Sequence, residues 1–178
     1  MNMGKDNSEL MPNPANYVPL SPLSFLERAK DIYPEREALI YGNRRYNWAQ
    51  TYDRCLQLAS ALVHHGVKKG DVVSVIATNT PELFEAHFGV PMAGAVLNTV
   101  NTRLDADTLA YIFEHAETKV LIIDTAFSET VKKALEKSER QDILIIVILD
   151  DQANGTSRQQ IGELDYESFL EMGSKGYT

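Results

Sequence analysis

Apolar residues recur along this chain in two alternating rhythms. Trp48, Tyr52, Leu56, Ala59 and Val63 fall three or four positions apart, the spacing that lines one face of an α-helix. Val72–Ala77 is instead a short, nearly continuous apolar run, as expected of a buried strand. The pair then repeats. Leu83, Phe84, Phe88 and Met92 mark a helix and Ala95–Leu97 a strand; Leu109, Ile112, Phe113 and Ala116 mark a helix and Val120–Ile123 a strand. Phe127, Val131, Ala134 and Leu135 give one more helix, and Ile143–Leu149 is an all-apolar strand that needs cover on both faces.

The punctuation agrees with the rhythms. Asn47 stands where a helix N-cap is required, with Gln50 three residues on as a loose capping box, and Gly66 ends that helix. Thr80-Pro81 supplies an N-cap and a first-turn proline, while Pro91 is expected to kink the end of the same helix. Ala38–Tyr41 and Arg44–Tyr46 flank Gly42-Asn43, which predicts a tight hairpin. A short helix is predicted over Ser24–Tyr33, stopped by Pro34, and a second behind Asp165 with Tyr166, Phe169 and Leu170 facing inward. Asp150–Gly162, polar and containing Asn154-Gly155, reads as an exposed loop.

Strands alternating with helices imply right-handed crossovers. The predicted fold is α/β, three-layered, with a mostly parallel sheet and helices on both faces. Residues 1–22 carry Pro12, Pro14, Pro19 and Pro22 among Asn and Ser and read as an extended arm laid over some other surface. Residues 23–178 form the α/β domain, since 178 residues suit one core rather than two. No internal repeat is evident.

Composition narrows the classes of partner. Hydrophobic residues at 44% and charged residues at 24% exclude disordered and disulfide-scaffold chains. A formal charge of −8 offers no basic footprint for nucleic acid. Cys55 is the sole cysteine, the start Met1–Leu10 has no apolar core resembling a signal peptide, and no apolar run approaches the ~20 residues that cross a bilayer. A cytoplasmic protein without a transmembrane segment is the expectation.

Local motifs supply little chemistry. There is no G-x-G-x-x-G, no Walker-type G-x-x-x-x-G-K-[ST] and no G-x-S-x-G elbow. His64 and His65 read as cations at a helix C-terminus, and His87 and His115 as packing or surface residues without a second ligand at metal spacing. Cys55 reads as a small buried hydrophobe. Asp150-Asp151 follows a strand but reads as a solvated turn, so no metal site and no catalytic residue is assigned. The loop Asn98–Leu104 leaves the carboxyl end of a strand and carries Arg103 among hydroxyl and amide side chains. From its residues alone it reads as a capped loop whose arginine pairs with a nearby carboxylate.

The order of segments carries a resemblance. Ala38-Leu-Ile-Tyr41, Arg45-Tyr-Asn-Trp48, Gly66-Val-Lys-Lys-Gly-Asp-Val-Val73, Ala77-Thr-Asn-Thr-Pro-Glu82 and Gly94-Ala-Val-Leu-Asn-Thr-Val-Asn-Thr-Arg-Leu104 together resemble the opening of acyl-CoA synthetases of the adenylate-forming superfamily, over roughly Tyr17–Leu149. Asn16–Ala29 looks most like medium-chain or plant-type acyl-activating members. The resemblance implies a ligase that joins a carboxylic acid, a fatty acid by expectation, to CoA, using ATP and Mg²⁺. It also implies that Arg103 contacts the 3′-phosphate of CoA, as in some CoA ligases, with a structural salt bridge as the alternative. The family's Ser/Thr/Gly-rich phosphate loop and its later adenine, ribose and catalytic-lysine motifs are not in this sequence. Residues 1–178 are therefore expected to be one part of such an enzyme, inactive alone, holding none of its cofactors tightly and prone to self-association. A non-catalytic scaffold domain, or an adenylating enzyme with a carrier-protein or oxygen acceptor, stand as alternatives.

Overall fold

The computed structural model describes residues 20–140, 142–149, 161–162 and 164–178. The expected arm up to Pro19, most of the Asp150–Gly162 loop and the Asp150-Asp151 pair lie outside the described residues. Helix α1 spans Pro22–Ile32 and begins earlier than predicted, because Ser21 caps it by accepting the Leu23 N–H at 3.1 Å. Pro22, expected in the arm, is its first residue.

Strands β1 (Glu37–Tyr41) and β2 (Arg44–Asn47) pair antiparallel as the predicted hairpin. Gly42 takes φ 56°, the positive value that the first position of such a two-residue turn reserves for glycine. Asn47 then caps α2 (Trp48–His64) in a complete capping box: it accepts the Gln50 N–H at 2.8 Å, and its own N–H donates to Gln50 Oε1 at 2.9 Å.

The remaining elements are β3 (Val72–Ile76), α3 (Pro81–Met92), β4 (Val96–Thr99), α4 (Ala106–His115), β5 (Thr118–Asp124), α5 (Ser128–Lys137), β6 (Leu144–Ile148), β7 (Leu164–Asp165) and α6 (Tyr166–Glu171). All five strands β3–β7 run parallel in the order β4-β3-β5-β6-β7. The predicted three-layer α/β fold is the observed one. Alternate residues of β5 divide between two cores. Val120 and Ile122 pack with Leu58 and Leu62 of α2, Val90 of α3 and Phe169 of α6, while Leu121 and Ile123 pack with Phe113 of α4 and Val131 of α5.

Two predictions change. The fourth strand runs on to Thr99 because Ser74 and Val75 of β3 pair with Asn98 and Thr99, so Asn98 is a strand residue and not the start of a loop. On the expected α3 stripe of Leu83, Phe84, Phe88 and Met92, Leu83 and Met92 pack half-buried against the core, whereas Phe84 and Phe88 belong to neither core cluster. Glu82, Glu85, Ala86, Gly89 and Val90 are buried instead. Helix α2 approaches so closely that only small side chains fit opposite Leu58, and the two glutamates enter with arginine partners, Arg44 on Glu82 and Arg54 on Glu85. No described helix is long and apolar enough to cross a membrane.

Candidate functional site at the carboxyl edge of the sheet

In an open parallel sheet, ligands collect at the carboxyl ends of strands where neighbouring connections leave in opposite directions. That reversal lies between β3 and β5, since β3 connects to β4 on one side and the chain then crosses to β5 on the other. Its two loops are tied to each other. Thr78 Oγ1 donates to Asp124 Oδ2 at 3.2 Å, and the Ala126 N–H donates to Asp124 Oδ1 at 2.9 Å. Asp124 is buried and acts as the cap of a 3₁₀ turn over Thr125–Phe127. Its lone pairs are committed to holding the crevice floor in shape.

Beside it, the β4–α4 connection carries Arg103. The Arg103 N–H donates to Asn101 Oδ1 at 2.9 Å, which fixes the turn, and the side chain is exposed. Among the described residues no carboxylate pairs with the guanidinium, so the expected salt bridge has no partner there. Beneath the loop, Asn98 Nδ2 donates to Ser74 Oγ at 3.0 Å, and Ser74 and Thr118 share a buried 2.7 Å hydrogen bond. This chain of hydroxyl and amide groups crosses β4, β3 and β5 and anchors the strand from which Arg103 is displayed. An exposed guanidinium on a fixed turn, with no carboxylate partner among the described residues, is chemically suited to a phosphate.

The most strongly perturbed groups lie elsewhere, between α2, α3 and α6. Arg54 Nε and Nη2 donate to Glu85 at 2.6 and 3.2 Å, and Nη1 and Nη2 donate to Glu167 at 2.8 and 2.6 Å. The Tyr166 hydroxyl donates to Glu85 Oε2 at 2.9 Å, and the Tyr46 ring centre lies 4.9 Å from the guanidinium carbon. Burial pushes the Glu85 carboxyl up to about 7, against the opposing pull of Arg54 and the Tyr166 hydroxyl. Burial also raises the Tyr166 hydroxyl. For Arg54, burial opposes the charge, but the hydrogen bonds to Glu167 and the charge of Glu85 more than offset it and raise its pKa. These groups satisfy one another, so the network fastens α6 to the domain. The sequence reading did not single it out, although a signal exists. Glu85 lies four residues before Gly89 and one before Ala86, on the small-residue face of α3.

The cysteine and the histidines have local packing and hydrogen-bond partners. Burial pushes the Cys55 thiol far up, the Glu85 charge adds to this and Arg54 opposes it, so the thiol stays protonated at neutral pH. His64 ends α2, and His65, its C-cap, places Nδ1 2.8 Å from the Ala61 carbonyl and its ring 4.9 Å from that of Phe169. His115 stacks on Tyr111 at 5.4 Å, and His87 Nδ1 lies 2.7 Å from the Leu83 carbonyl. No group of three metal-ligating side chains occurs among the described residues.

Comparison with known proteins places this geometry in context. Residues 26–171 match the AMP-binding enzyme family. The chain is 48% identical over 170 residues to the probable acyl-activating enzyme 22 of Arabidopsis thaliana, covering 94% of this chain and 31% of that protein. It is 47% identical over 161 residues to a peroxisomal benzoate–CoA ligase of the same plant, covering 89% of this chain and 28% of the relative. Among solved structures, the anthranilate CoA ligase AuaEII in complex with anthranoyl-AMP superposes with a TM-score of 0.75 at 23% identity, over 86% of this chain and 28% of that one. The chain thus spans less than a third of the length of the curated relatives it matches.

Proposed function

The chain belongs to the AMP-binding enzyme family, and from that premise we propose that it is part of an ATP-dependent acid–thiol ligase that makes an acyl-CoA. The observation that carries this reading is the 47–48% identity, over about nine-tenths of the chain, to proteins named as acyl-activating enzyme and benzoate–CoA ligase. The overall reaction takes a carboxylate, ATP and CoA to acyl-CoA, AMP and pyrophosphate. A carboxylate oxygen bonds to the α-phosphorus as pyrophosphate leaves, and the thiolate sulfur then bonds to the acyl carbon as AMP leaves.

The residues in hand do not fit the metal-bound triphosphate. The sequence contains no glycine-rich phosphate cradle, and the described residues include no cluster of three or more potential metal ligands. No chemical step is therefore assigned to them. Their part is scaffolding and, at Arg103, recognition of the CoA 3′-phosphate, supported by its exposed guanidinium at the carboxyl edge.

The substrate is a small carboxylic acid. A fatty acid follows from the family resemblance, and the benzoate relative supports an aromatic acid equally well. The compartment follows the same division: the lone cysteine suits the cytoplasm, and the peroxisomal relative offers the peroxisome. The deciding experiment is ATP–pyrophosphate exchange with a panel of acetate, butyrate, octanoate and benzoate, run on residues 1–178 and on the full-length ligase that contains them. Exchange by the full-length protein alone is expected. Exchange above background by residues 1–178 would remove the scaffolding role, and none by either protein would remove the ligase.

A further inference from the structure

Phe84 and Phe88 of α3, outside both core clusters, line an open groove on the surface of the domain. Two hollows of about 480 and 460 Å³ meet at Phe84 and Phe88. One runs to Ile40 of the hairpin, which is 61% exposed, and the other past Trp48 to Phe25 of α1, which is 57% exposed, and to Leu20. Among the described residues no Asp, Glu, Lys or Arg lines either hollow, in a chain that is 24% charged. An aromatic, uncharged groove is costly to leave in water and selects an uncharged occupant.

We propose that the occupant is the chain's own segment Leu10–Pro19. Three observations converge on it. Leu20, the residue that follows the segment, already lines the groove, so the segment is joined directly to the groove's own lining. The ten residues Leu10-Met-Pro-Asn-Pro-Ala-Asn-Tyr-Val-Pro19 carry no charge, whereas Lys5, Asp6 and Glu9 immediately before them do. The uncharged stretch and the uncharged groove therefore match in kind. Pro12, Pro14 and Pro19 restrict the backbone before it binds, and proline-rich segments dock on aromatic-lined grooves because little entropy remains to be lost. At about 3.1 Å per residue, ten residues in the extended form that proline favours reach ~31 Å. The inference rests on the groove and this segment and is independent of the ligase reading.

Trp48 is the only tryptophan and lines the groove, so it reports occupancy directly. In the full 178-residue chain at micromolar concentration, acrylamide quenching of Trp48 fluorescence is compared with that of the double variant Tyr17→Asp/Val18→Asp. The expected result is a Stern–Volmer constant at least twofold higher in the variant, with unchanged far-UV circular dichroism. Equal constants would overturn the proposal. A second arm introduces Val18→Cys with Phe88→Cys and oxidises the protein; buried Cys55 does not compete. A disulfide within one chain is expected. Cross-links only between chains would assign the groove to a second copy, and no cross-link in a folded variant would assign it to some other occupant; either overturns the proposal. If the cysteine variant does not fold, the quenching comparison decides alone.

Discussion

Tyr166 donates its hydroxyl hydrogen to Glu85 Oε2 at 2.9 Å across an interface that excludes solvent from both residues. Eighty-one residues separate them in sequence, and the bond joins α6 to α3 through the carboxylate that also receives Arg54. Removing the guanidinium leaves a buried acid without its counter-ion. Arg54→Ala is expected to cost about 3–5 kcal/mol, and Tyr166→Phe about 1.5–3 kcal/mol for a hydrogen bond to a charged acceptor. Urea denaturation followed by circular dichroism measures both. A loss below about 1 kcal/mol for Arg54→Ala would show that the network does not fasten α6.

The same carboxyl makes stability depend on pH. Its ordinary value is 4.5, and burial raises it to about 7 in the folded protein. The folded state therefore holds that proton more tightly than the unfolded state. The resulting stability is complete below pH 4.5 and is lost as pH rises through 7, roughly 3 kcal/mol in all. Asp105 and Asp165 act at the other end. The Thr108 N–H holds the first down, and the Ser168 hydroxyl and N–H the second, so their contributions are present above 3.8 and fall away at lower pH. The wild-type unfolding free energy should decline from pH 5.5 to 8, and Glu85→Gln should flatten that decline. An unchanged slope in the variant would assign the dependence to another group.

Close approach also holds α6. A Cβ at Gly173 would lie 2.0 Å from the Gln57 carbonyl oxygen, a backbone atom that cannot rotate away. Gly173→Ala must push the end of α6 off α2, at a cost of about 1–3 kcal/mol by analogy with overpacking. Hydrogen exchange should then rise selectively in Tyr166–Glu171. Uniform exchange across the domain would mean that the strain spreads instead of loosening this contact.

These contacts mark where the sequence was readable. The alternation of strands and helices was legible because β3, β5 and β6 are buried on both faces and read as apolar runs. The caps at Asn47, Thr80 and Asp165 were legible because capping is local chemistry. β7 was not, since the pair Leu164-Asp165 is too short to show a period and exists through its pairing with β6. Helix α3 was misread for a tertiary reason. Its conspicuous residues Phe84 and Phe88 face the groove, while Glu85 is drawn inward by an arginine from another helix. Asn98 was placed in a loop because its amide is polar, yet Ser74 gives that amide a partner inside the sheet. As for the candidate site, Arg103 was legible as a residue type in a loop at a strand end, but its lack of a carboxylate partner among the described residues was visible only in three dimensions.

That exposed guanidinium supports the last prediction, which rests on the proposed ligase function and is tested in the longer enzyme that the proposal implies. If Arg103 grips the 3′-phosphate of CoA, its loss should weaken CoA and spare dephospho-CoA, which lacks that phosphate. Arg103→Ala is expected to raise KM for CoA about tenfold, equivalent to about 1.4 kcal/mol, with KM for dephospho-CoA and the rate of acyl-adenylate formation unchanged. Arg103→Lys keeps the charge but not the planar fork of donors, so it should recover only part of the loss. The comparison of the two thiols isolates the phosphate contact from any disturbance of the loop: a merely structural arginine would shift both KM values together, whereas a phosphate ligand shifts one.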